Sequence, residues 1–89
     1  MQIEKVSPTV FTPLADGTGV LLHLETLLYY SLNRTAASAW QLIEEKKVVA
    51  FEELVDATCE RFEVDHGEAL QTLKVFVEKL QEFKMVQLS

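Results

Sequence analysis

Val20-Leu21-Leu22-His23-Leu24, then Leu28-Tyr29-Tyr30-Ser31-Leu32, then Asn33 and the helical stretch Arg34 to Glu45: this order decides the fold class. The two apolar runs are rich in aromatic and aliphatic residues and are separated only by the short Glu25-Thr26 turn region, which predicts a β-hairpin. Side chains alternate across a strand. Val20, Leu22 and Leu24 therefore share one face, with Leu21 and His23 on the other. Leu28, Tyr30 and Leu32 share a face of the next strand, and Tyr29 points the opposite way. His23 is expected to face solvent. The hairpin lacks the Asn-Gly or Asp-Gly pair that two-residue turns prefer.

On the N-terminal side, Val6 to Leu14 contains Pro8 and Pro13. Proline cannot donate to a ladder, so this segment is expected as an irregular edge strand. Ala15-Asp16-Gly17-Thr18-Gly19 supplies the residues of a turn. On the C-terminal side, Asn33 is a good N-cap. Ala36, Ala39, Trp40 and Ile43 fall on one face of the helix that follows, with Trp40 as the expected core anchor. Lys46 to Ala50 breaks the pattern. Phe51, Leu54, Val55, Thr58, Cys59 and Phe62 then recur at helical spacing. Asp65-His66-Gly67-Glu68 reads as a capping box. It opens a third helix from about His66 to about Phe83, whose apolar stripe is wider than one core contact requires. Three strands followed by three helices predict an α+β domain, winged-helix-like: a three-stranded antiparallel sheet and then three helices, one domain over residues 1–89.

Composition narrows the function. The chain has 89 residues, 48% hydrophobic and 25% charged, which is the balance of a folded domain. No apolar run approaches the length of a membrane span, and MQIEKVSP has no signal-peptide core. The expected compartment is the cytoplasm. Eight basic residues against fourteen acidic ones, net charge −6, argue against nucleic acid and against an anionic membrane surface. The single Cys59 cannot form an internal disulfide and is expected as a buried, inert thiol. His23 and His66 have no partners at metal-ligand spacing. Ser31 and Ser38 lack the context of a nucleophile, and the glycines make no phosphate-cradling loop. No catalytic set, metal or cofactor is expected.

A small meander has edges, and an open edge invites another strand. Peptide-recognition domains use such edges for affinity and neighbouring apolar pockets for specificity. The expected peptide-binding set is Leu28, Tyr29, Tyr30, Ser31 and Leu32 on the strand, with Leu70, Leu73, Lys74 and Val77 on the third helix. Tyr30 and Lys74 are the members best placed to reach a ligand; the apolar members serve equally well as core. An open edge also admits self-pairing, so a homodimer is among the expectations.

The residues Val20-Leu21-Leu22-His23-Leu24-Glu25-Thr26, Tyr29-Tyr30-Ser31-Leu32-Asn33-Arg34-Thr35-Ala36 and Trp40 resemble the PqqD-like family. Phe51 to Val55, Arg61 to Asp65 and Phe76 to Leu80 resemble its second and third helices, so the likeness spans about residues 6 to 87. Family members often have glycine in the hairpin turn, Asp-Gly or a similar break after the first helix, and glycine near the end of the third. This chain has Leu27, Glu45-Lys46-Lys47 and Lys84 there. The resemblance implies a non-catalytic recognition element for ribosomally made precursor peptides. Such an element binds the leader segment as a strand added beside the third strand and against the third helix. It then presents the core peptide to a radical S-adenosylmethionine enzyme or a leader peptidase. The alternatives are a winged-helix DNA-binding protein, which the acidic balance disfavours, and an adaptor that only docks on an enzyme.

Overall fold

The computed structural model describes residues 1–6 and 8–89. Ser7, inside the segment expected as an irregular strand, lies outside the described residues. The elements run β1 (Gln2–Lys5), β2 (Thr9–Pro13), β3 (Gly19–His23), β4 (Tyr29–Leu32), α1 (Arg34–Lys46), β5 (Val48–Ala50), α2 (Phe51–Phe62), α3 (His66–Glu82) and β6 (Val86–Leu88). The α+β class and the order of three sheet strands and then three helices hold. The expected strand from Leu28 begins one residue later, at Tyr29.

Two antiparallel three-stranded sheets form, in the orders β2-β3-β4 and β5-β1-β6. The second was not legible as a sheet, because β1, β5 and β6 have four, three and three residues and lie far apart in sequence. β1 is its centre. It pairs Ile3 with both Val49 and Leu88, and Gln2 and Ser89 exchange backbone hydrogen bonds of 2.8 and 3.0 Å.

The core joins both sheets to the helices. Ile3, Leu21, Trp40, Ile43, Leu54, Leu73, Val77 and Met85 have no exposed surface. Burial of a side chain of leucine or valine size contributes roughly 1.5–3 kcal/mol, so this cluster holds the layers together. Trp40 is the anchor expected of it. Asn33 caps α1 by accepting from the Ala36 N–H at 2.8 Å, and Asp65 caps α3 by accepting from the Gly67 and Glu68 N–H groups. Cys59 is half-buried rather than buried.

His23 is the clearest reversal. Expected to face solvent, it is 3% exposed. Alternation puts it on the Leu21 side of β3, which faces the core. Its Nδ1 accepts from the N–H groups of Glu25 at 3.2 Å and Thr26 at 3.5 Å, which holds the turn that leads into β4.

Candidate functional site

β4 has one neighbour, β3, and is an open edge. The hairpin bonds show which of its backbone groups are free. His23 N–H donates to the Leu28 carbonyl at 3.0 Å, and Leu27 N–H donates to the His23 carbonyl at 2.7 Å. With Leu27 at φ +62°, this is a G1 bulge opposite His23. Hydrogen-bonded and non-hydrogen-bonded pairs alternate along an antiparallel ladder. Tyr30 opposite Leu21 and Leu32 opposite Gly19 therefore turn their N–H and C=O toward β3. Tyr29 and Ser31 turn theirs outward, where a further strand would pair.

Beside that edge runs a groove. Its upper part, about 280 Å³, lies between Ser31, Leu32 and Asn33 on one wall and Thr72, Val75, Phe76 and Lys79 of α3 on the other. Its lower part, about 290 Å³, adds Tyr30, Leu80, Phe83 and Met85. Ser31, Leu32, Phe76 and Lys79 line both parts, so the groove is continuous along the strand. The Tyr30 and Phe83 rings stack at 4.6 Å between centroids, tilted by 32°, and close its lower end. Lys79 is the one charged residue among those lining it.

Two local devices place these side chains. Met85 N–H donates to the Leu80 carbonyl and Lys84 N–H to the Gln81 carbonyl, at 2.9 and 3.0 Å. That pattern, with Lys84 at φ +60°, is a Schellman termination of α3. It sets Phe83 on the rim and sends buried Met85 beneath the groove. The G1 bulge at Leu27 sets the register of β4 in the same way.

The strand half of the expected set stands at the groove: Tyr30, Ser31 and Leu32 line it. Tyr29, 71% exposed, offers its backbone, while Leu28 precedes the strand and is exposed. The helix half is divided. Leu73 belongs to the groove floor and Val77 to the core, both with no exposed surface. Leu70 and Lys74 lie outside the groove. At about 100° per residue, Lys74 stands about 160° around α3 from Phe76. The groove also takes in Thr72, Val75, Phe76, Lys79 and Phe83, which are not in the expected set. Their signal was the excess width of the apolar stripe: Phe76 and Phe83 sit seven apart, on a flank that the Ala69-Leu73-Val77-Leu80 core stripe does not use. No group of three or more His, Cys, Asp or Glu side chains suited to a metal occurs among the described residues.

Residues 18–86 match the family model described as coenzyme PQQ synthesis protein D (PqqD). The chain belongs to the PqqD family. The match begins just before β3 and ends at the start of β6, so it takes in both walls of the groove of this PqqD-family chain. Among solved structures, the chain is similar to that of TbiB1 in complex with the TbiA(β) leader peptide. The identity is 30%, the TM-score 0.79, and 94% of each chain is covered. Comparison with curated protein sequences gives no match. Among the described residues, three of the four non-glycine residues at positive φ are Leu27, Lys47 and Lys84, at +62°, +67° and +60°. They occupy the places where glycine was expected from the resemblance. This PqqD-family chain keeps the left-handed backbone there without the residue that adopts it most readily.

Proposed function

We propose that this protein is a non-catalytic recognition element for a ribosomally made precursor peptide. The precursor's leader segment adds as a strand to β4, pairing with the outward backbone groups of Tyr29 and Ser31. Its inward side chains enter the groove over Tyr30, Leu32, Phe76, Leu80 and Phe83, and Lys79 meets an acidic or carbonyl group. The core peptide, left outside the groove, is presented to a modifying enzyme in the cytoplasm, either a radical S-adenosylmethionine enzyme or a leader peptidase. Among the described residues, no helix is long and apolar enough to cross a membrane.

One observation carries the reading. An open strand edge lies directly beside a mostly apolar groove, in a PqqD-family chain whose fold matches that of a protein in complex with a leader peptide. Strand addition supplies sequence-tolerant backbone bonds, and the groove supplies selection by side chain. Calorimetric titration tests this with the two halves of one precursor: the isolated leader binds and the isolated core peptide does not. Equal binding of both halves, or of neither, overturns the proposal.

A further inference from the structure

A second groove opens between α1 and α2. It has two parts, of about 380 and 390 Å³, that share Ser38, Gln41 and Arg61. Leu42 and Ala57, both half-buried, form the apolar part of its lining, with Glu45 beside them, and Arg34 joins Arg61 at the other part. Arg34 opens α1 and Arg61 lies in the last turn of α2. These are the two arginines of a chain whose net charge is −6.

Neither arginine is in an ion pair among the described residues; the pairs formed are Lys5–Glu44 and Lys46–Glu53. The Asp16 carboxylate, within electrostatic reach of Arg34, accepts from both the N–H and the hydroxyl of Thr18. The turn at Gly17, φ +92°, lies against the Arg34 side chain, where an added Cβ would sit 3.0 Å from Nε. Arg61 lies over the Phe62 ring, 5.7 Å from its centroid. Neither guanidinium group is in a two-point pair with a carboxylate among the described residues, the partner such forks take.

This groove and the one beside β4 share no lining residue. α1 turns Ala36 toward β4 and Ser38 toward α2, about 160° around the helix. Both grooves can therefore be filled at once. A small anion would cover only the arginines, whereas the groove continues between the helices past Leu42 and Ala57.

We infer that the α1–α2 groove docks an acidic, amphipathic segment of a partner protein, with carboxylates on Arg34 and Arg61 and an aliphatic side chain over Leu42 and Ala57. The inference rests on the proposed function in one respect: the partner is the protein that receives the presented precursor.

The probe is a synthetic peptide of alternating Leu-Glu-Glu-Leu blocks, titrated into the labelled full chain while the arginine Nε–H and backbone amide resonances are followed. Inorganic phosphate and the same peptide with Gln for Glu serve as controls. Saturable shifts are expected at the Arg34 and Arg61 Nε–H groups and at the Ser38 and Gln41 amides. They weaken about tenfold or more in the R34Q/R61Q variant, in which two exposed side chains are changed and leader affinity stays as in the unmodified chain. Absence of saturable shifts at millimolar peptide, equal shifts with the Gln peptide, or phosphate reproducing the whole pattern overturns the inference. Loss of leader binding to the unmodified chain, with the arginine shifts intact, strikes the proposed function instead.

Discussion

Ser31→Pro separates the edge of β4 from its ladder. The Ser31 N–H points away from β3, so proline there removes no bond of the sheet. β2 carries the same arrangement natively: Pro13 opposes Gly19 in a non-hydrogen-bonded pair, its nitrogen facing away from β3. The cost to folding is the strain of fixing φ near −65° in a strand, about 1 kcal/mol. The cost to strand addition is larger. The outward donor is lost, and the ring holds an added strand off the neighbouring acceptor. Two hydrogen bonds at about 1 kcal/mol each amount to about 2 kcal/mol, or about 30-fold in affinity. Tyr30→Pro is the converse, since it removes the bond to Leu21 and breaks the ladder. Urea unfolding and leader calorimetry on the two variants give the assay. Ser31→Pro is expected to remain folded and bind about 30-fold more weakly, while Tyr30→Pro loses much more stability. Leader binding by Ser31→Pro at the affinity of the unmodified chain would show that the outward backbone groups of β4 do not hold the leader.

The flank of α3 can be tested by charge. Val75→Asp, at a position 52% exposed on the groove wall, should leave stability within about 0.5 kcal/mol and weaken leader binding, while Leu70→Asp should change neither. Val77→Asp buries an unpaired carboxylate in the core and should cost several kcal/mol of the roughly 5–15 kcal/mol a domain has, read as loss of the cooperative melt. Lys47→Gly should raise stability by about 1 kcal/mol, because glycine relieves the left-handed backbone at φ +67°. Leu27→Gly should gain less, because part of the leucine side chain is buried. An unchanged denaturation midpoint for Lys47→Gly would show that the bend carries no strain.

Much of this was legible where a local rule and a global contact agree. Asn33 and Asp65 are caps in sequence and in structure. Trp40 is the core anchor, and the alternation of Tyr29, Tyr30, Ser31 and Leu32 is that of the observed strand. The second sheet was hidden because its strands are short and paired across nearly the whole chain, so no local pattern announces them. His23 was misplaced because a polar residue was assigned to solvent. Its real partners are two amides of the turn it closes, a contact that periodicity cannot express. The lining of the helix side of the groove was hard to read for a related reason. Ala69, Leu73, Val77 and Leu80 form the buried stripe, and hydropathy alone does not say on which side of it the sheet edge lies. Phe76 and Phe83 mark that side only once the sheet is placed.

The central claim is that a leader strand pairs with β4 and with no other edge. β2 is also an edge, with the amides of Thr9 and Phe11 facing outward as those of Tyr29 and Ser31 do. Amide hydrogen exchange at single-residue resolution, with and without a saturating leader peptide, compares the two edges within one molecule. The Ser31 and Tyr29 amides are expected to become protected while Thr9 and Phe11 exchange as before. Protection of Thr9 and Phe11, with Tyr29 and Ser31 unchanged, would contradict the claim.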